Sequence, residues 1–140
     1  MKRLVSVLLV VAIVFSLCAC GAEKNERERA YVVTFSGYQY YCLFDTEAHT
    51  AKEFYYDVDS KFFYLYAEGE YDGEITGNTT LEVSFTAEDN STWIEKFKFD
   101  KNPKYVGITM IGGNLPESNE VRGIQTDAGK VKDILAKNGH

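Results

Sequence analysis

Residues 63–77 read FYLYAEGEYDGEITG, and their alternation decides the class of fold. One parity holds Phe63, Leu65, Ala67, Gly69, Tyr71, Gly73, Ile75 and Gly77, while the other carries Phe62, Tyr64, Tyr66, Glu68, Glu70, Asp72, Glu74 and Thr76. Period-two alternation is the signature of a strand with one face buried and the other wet. A single strand of this length would exceed the usual range of about 3 to 10 residues, so the three glycines need a role. Two readings fit: a strand bent or bulged at glycine, or a two-residue turn at Asp72-Gly73 that folds Glu74 to Thr76 back. The bent strand is preferred, because the parity survives across the glycines.

The same grammar extends in both directions. Tyr31 to Phe35 and Tyr38 to Phe44 are aromatic and β-branched runs broken at Ser36-Gly37, and Ala51 to Asp57 pairs with Lys61 to Ala67 across a reversal at Val58-Asp59-Ser60. Leu81, Val83 and Phe85 alternate with polar residues. Thr92 to Phe99 puts Trp93, Phe97 and Phe99 on one parity and Lys96 and Lys98 on the other. Tyr105 to Ile111 follows Asn102-Pro103, a loop runs from Gly112 past Pro116 to Asn119, and Val121 to Gln125 adds a short edge strand. The period then changes: Thr126 or Asp127 caps a helix whose Ala128, Val131, Ile134 and Leu135 form one stripe, stopped at Asn138-Gly139. A short amphipathic helix must dock to be stable. The expected fold is all-β, an antiparallel small barrel or strongly curved sheet with one C-terminal α-helix over an opening or a face.

Ahead of this domain, Leu4 to Phe15 is almost unbroken apolar sequence behind Lys2 and Arg3, shorter than the about 20 residues that cross a bilayer. It ends in Leu17-Cys18-Ala19-Cys20-Gly21, which resembles the lipobox of bacterial lipoproteins. The resemblance covers residues 1–21 only. It implies a signal peptide over residues 1–19, cleavage between Ala19 and Cys20, a diacylglyceryl lipid on the Cys20 sulfur, and a chain held on the outer side of the bacterial cell membrane by that lipid. A transmembrane helix extended through Ser16 to Ala22, and an ordinary secretory signal that leaves Cys20 as a free thiol, stay open beside it. Residues 20–30 then form a charged tether, since Gly21 to Ala30 has no apolar residue larger than alanine, and residues 31–140 form a single domain.

Cleavage would remove Lys2 and Arg3, leaving thirteen basic residues against twenty-one acidic ones, and would move the formal charge from −6 to −8. So acidic a domain repels nucleic acid and anionic headgroups, and its membrane attachment falls to covalent lipid. Cys42 would be the one free thiol of the mature chain, in an aromatic run where a small buried residue is expected.

Motifs for chemistry are sparse. There is no phosphate-cradling loop, no paired histidines and no Cys-x-x-Cys, and the two histidines are His49 and His140. No catalytic constellation, metal site or cofactor is expected. Asp57, Asp59, Glu68, Glu70, Asp72 and Glu74 lie close in sequence, but acids alternating along one strand face stand about 6.8 Å apart, too far for one calcium ion. The candidate binding face is therefore a recognition surface made of Tyr64, Tyr66, Glu68, Glu70, Asp72 and Glu74. The expected function is a membrane-anchored binding module for a small apolar ligand or a basic protein partner. The alternative is a small acidic inhibitory or immunity-type protein acting through that Tyr/Glu face. A hollow barrel favours the first and a filled one the second.

Overall fold

A computed structural model of the chain describes residues 27–113 and 119–140. Signal segment, Ala19 and Cys20 lie outside the described residues, as do positions 114–118 of the loop expected after Gly112. Eight strands run in chain order: β1 (Glu28–Phe35), β2 (Tyr38–Asp45), β3 (Thr50–Tyr56), β4 (Phe63–Glu70), β5 (Thr80–Ala87), β6 (Thr92–Phe99), β7 (Tyr105–Gly113) and β8 (Val121–Thr126). Each pairs antiparallel with the next, and β8 returns to β1 through Ala30↔Thr126 and Val32↔Ile124, closing a barrel. The helix α1 (Ala128–Lys137) follows.

Two expectations are corrected at the first and last strands. β1 begins at Glu28, so Glu28, Arg29 and Ala30 leave the charged tether and join the sheet. Ladder pairing with Leu43, Phe44 and Asp45 supplies the stability that their own side chains lack. Val121–Thr126 is likewise no edge strand, since β7 and β1 flank it on both sides.

The inward face is apolar and the outward face charged. Tyr31, Val33, Phe44, Val83, Phe85, Phe97, Phe99, Val106 and Ile108 are buried in one cluster, while Glu68, Glu70, Glu82 and Lys98 point to water. That polarity is the reverse of a membrane-spanning barrel, which carries its apolar band outside. Eight strands leave an interior just wide enough for side chains to fill. Rings fill much of it here: Phe44 meets Phe97 edge-on at 5.1 Å and Tyr71 at 5.5 Å, and Tyr31 approaches Phe99 at 5.5 Å.

The lower end, where β1 starts, is plugged by the link between β4 and β5. Here the preferred bent strand is corrected, because β4 stops at Glu70 and residues 71–79 form neither strand nor hairpin. The parity survives for another reason. Tyr71 and Ile75 turn inward over the end of the barrel, Tyr71 donating to the Asp45 carbonyl (3.1 Å) and Arg29 donating to the Ile75 carbonyl (3.3 Å). Gly69 has a separate role: a Cβ there would stand 2.7 Å from Val83 Cγ1 and 2.8 Å from the Ser84 carbonyl oxygen, so only glycine lets β4 and β5 approach this closely.

Helix α1 covers a face, not an opening. Its N-cap is Asp127, whose Oδ1 accepts from the Gly129 amide (2.8 Å). Val131 and Leu135 are buried against Ala30, Tyr41, Leu43, Phe54 and Tyr66 on the outer side of the wall, with Ala128 and Ile134 packed at the margin. The stripe read from sequence is thus the docked face.

Candidate functional site

In the upper half of the barrel, toward the turns at Ser36-Gly37, residues 57–62 and residues 88–91, the apolar interior is interrupted. Glu53 on β3 and Glu95 on β6 point inward and are 2% and 4% exposed, the buried charged side chains among the described residues. Inward parity puts them there: Glu53 lies between Ala51 and Tyr55, and Glu95 between Trp93 and Phe97. The Tyr40 hydroxyl of β2 hydrogen-bonds Glu53 Oε2 and lies 2.8 Å from Glu95 Oε2. Trp93 Nε1 donates to Glu95 Oε1 at 3.1 Å.

A phenol carries a single hydrogen. When two carboxyl oxygens contact the same phenol oxygen, one contact uses its hydrogen and the other is satisfied by the hydrogen of a protonated carboxyl. Burial, then the neighbouring Glu95 charge, holds Glu53 well above the usual carboxylate range. Glu95 is also raised by burial, but hydrogen bonds from its neighbours oppose the shift. Glu53, the more strongly raised of the two, is therefore the carboxyl that holds the proton, and Glu95 accepts from Tyr40 and Trp93. Burial pushes up the Tyr40 hydroxyl and the Cys42 thiol as well, so both stay protonated. Cys42 is a fully buried packing residue, as its sequence context implies.

Above the acid pair the rim is aromatic. Phe35 stacks on Tyr38 (5.0 Å), Tyr38 approaches Tyr55 (5.8 Å), Tyr55 stacks on Tyr64 (5.2 Å), and Tyr64 stacks on Phe62 (5.4 Å). Tyr55 also approaches Tyr40 at 5.3 Å, joining rim to acid pair. Phe62 is 61% exposed at the outer end of this series.

The candidate face read from sequence is divided by a β-bulge. On β4 the register steps from Ala67↔Glu53 to Tyr64↔Tyr55, so Leu65 and Tyr66 together oppose Phe54, with Leu65 at φ +56°. The extra residue reverses the parity. Tyr64 belongs to the rim, whereas Tyr66 is buried outside the wall, stacked at 3.7 Å on His140 and donating to Glu68 Oε1 at 2.5 Å. Glu68 and Glu70 line a groove of about 400 Å³ on the outer wall with Thr50, Lys52, Ser84 and Thr86. Asp72 and Glu74 lie on the plug, where Glu74 pairs with His49 at 3.7 Å. The six residues thus occupy four places.

Tyr40, Glu53, Trp93 and Glu95 were not singled out by motif, though a signal existed. Glu95 falls on the parity of Trp93, Phe97 and Phe99, and an acid on an apolar parity marks a buried carboxyl. Among the described residues no three potential metal ligands converge. Comparison with protein-family models, curated proteins and solved structures finds no match to the chain. The chemistry therefore rests on the site itself: a half-buried aromatic rim over a buried, hydrogen-bonded carboxyl pair that has no ion-pair partner among the described residues.

Proposed function

We propose that the chain is a lipid-anchored, extracytoplasmic binding module which, its interior being filled with rings, takes at its upper rim rather than inside the barrel a small ligand with an apolar body and a cationic head. The observation that carries this reading is the burial of Glu53 and Glu95 with no basic side chain buried beside them among the described residues. Burying an unpaired charge costs several kcal/mol, and such costs concentrate at functional sites. A quaternary or protonated amine on the Tyr38, Tyr55 and Tyr64 rings would gain about 0.5–2 kcal/mol per cation–π contact and would lie above the carboxyl pair, whose ionisation it would favour. Binding is favoured over catalysis because the two carboxyls are covered and offer no room for a reacting group. The anchor rests on the lipobox resemblance. The tether would meet β1 at the lower end, so the rim would face away from the bilayer.

Two measurements test the two parts. Titration with benzyltrimethylammonium, followed by ring resonances of the rim tyrosines, is expected to saturate, with clearly weaker binding of the neutral tert-butyl isostere; equal affinities would overturn the cationic reading. Intact mass of membrane-extracted protein is expected to match a chain beginning at a diacylglyceryl-modified Cys20. An unmodified Cys20, or retention of residues 1–19, would overturn the anchor.

The outer-wall groove favours a second reading, an acidic interaction protein that docks a basic partner through Glu68 and Glu70. Binding there would weaken with salt and would be lost on charge reversal at these two positions while the rim resonances stay unmoved.

A further inference from the structure

We propose that the Glu53–Tyr40–Glu95 bridge is a proton-dependent clasp: one shared proton fastens the upper half of the barrel, and its loss to solvent releases it. The inference goes beyond ligand binding and holds whether or not a ligand occupies the rim. It stands first on connectivity. Glu53, Tyr40 and Glu95 come from β3, β2 and β6, and β6 is no neighbour of the other two in the sheet, so the bridge spans the interior from one wall to another. It stands also on hydrogen count, since the set of contacts needs one proton beyond those of Tyr40 and Trp93.

The surroundings offer no substitute for that proton. β2 presents Tyr40 and Cys42, β3 presents Tyr55, β4 presents Tyr64 at the rim, and β6 presents Trp93. β1, β7 and β8 contribute Val33, Phe35, Ile108, Met110 and Val121. No lysine, arginine or histidine is buried with the pair among the described residues. When Glu53 gives up its proton, two carboxylates face one phenol hydrogen in a low-dielectric interior. Their repulsion is relieved only if one of them moves toward the rim. The lower half, packed by Phe44, Phe97, Phe99 and Tyr71, buries no second carboxyl pair among the described residues; its titratable contact, His49 with Glu74, lies on the plug and does not involve residues 97–99.

Amide hydrogen exchange on the full chain, corrected for the intrinsic pH dependence, tests the clasp. On the alkaline side of the Glu53 titration, located by carbon-13 shifts of the glutamate carboxyls, protection at residues 38–41, 53–56 and 92–95 is expected to fall by about tenfold or more, the factor that one unit of carboxyl titration commands, while residues 97–99 keep theirs. Glu53→Gln, which retains a donor for Tyr40 but cannot ionise, is expected to abolish the fall. An equal fall in both halves, or a fall that persists in Glu53→Gln, overturns the proposal. If that variant does not fold, carbon-13 titration of the wild-type glutamate carboxyls decides: both carboxyls already ionised at about pH 6 would refute the clasp, and one still protonated would uphold it.

Discussion

Glu53 and Glu95, from strands that are not neighbours in the sheet, meet at a single oxygen, the hydroxyl of Tyr40. At least one of them must carry a proton for both contacts to form, because the phenol has a single hydrogen to give.

Stability should fall on the alkaline side. Burial raises Glu53, so its contribution is complete below the ordinary glutamate value of about 4.3 and is lost as pH rises through the folded-state value. Asp45 acts in the opposite sense: the Ala48 amide and the Arg27 guanidinium hold it below the ordinary range, so its contribution is present above about 3.9 and lost as pH falls. Thermal unfolding measured against pH is expected to show its maximum under mildly acidic conditions, with Glu53→Gln removing the alkaline limb and sparing the acid one. A wild-type Tm that climbs as pH rises past neutrality would contradict the assignment.

Tyr40→Phe keeps the ring and deletes the bridge. It leaves buried carboxyl oxygens short of a donor, at a cost of about 1–3 kcal/mol in denaturant unfolding. Combined with Glu53→Gln, the two costs should fail to add by about 1 kcal/mol, because both changes act on one network. Additive costs would show that the contact is incidental.

Gly69→Ala tests the close approach of β4 and β5. Its new methyl would collide with Val83 and the Ser84 backbone, and the expected loss is about 1–3 kcal/mol by chemical denaturation. A neutral result would mean that the two strands separate freely.

Leu135→Ala and Asp127→Ala address the helix from packing and capping. The first removes a side chain buried on the outer wall and is expected to cost about 2–5 kcal/mol; the second deletes the N-cap acceptor and costs about 1 kcal/mol. Far-ultraviolet circular dichroism should report lost helix while the near-ultraviolet signal of Trp93, inside the barrel, persists. Simultaneous loss of both signals would show that helix and barrel form one cooperative unit.

Cys20→Ser is expected to move the protein from the membrane fraction to the soluble fraction. Retention in the membrane would point to attachment by another route.

Much of the barrel was legible because alternation reports which side of a strand is buried, and Leu81–Phe85 and Trp93–Phe99 follow it without a break. The helix was legible for a similar reason at period 3.6, with Val131 and Leu135 on the docked side. The division of the Tyr/Glu face was not. A bulge at Leu65-Tyr66 depends on how β4 aligns with β3, and a one-residue offset in pairing leaves no mark on either strand alone. The plug escaped for a different reason: Tyr71 and Ile75 keep the strand's parity while the backbone has left the sheet. Glu53 and Glu95 were visible as acids on apolar parities, yet that they meet follows only from closure, which brings β3 and β6 across from one another.

Closure has a further consequence, for the order of events in synthesis. β1 is among the first elements made, yet one of its two neighbours, β8, is the last strand, so the ring cannot shut until residues 121–126 are available. Until then β1 and β7 each expose an unpaired row of amides and carbonyls. Folding waits on the C-terminal end of the sheet, and a chain stopped short of Val121 would carry two sticky margins in place of none.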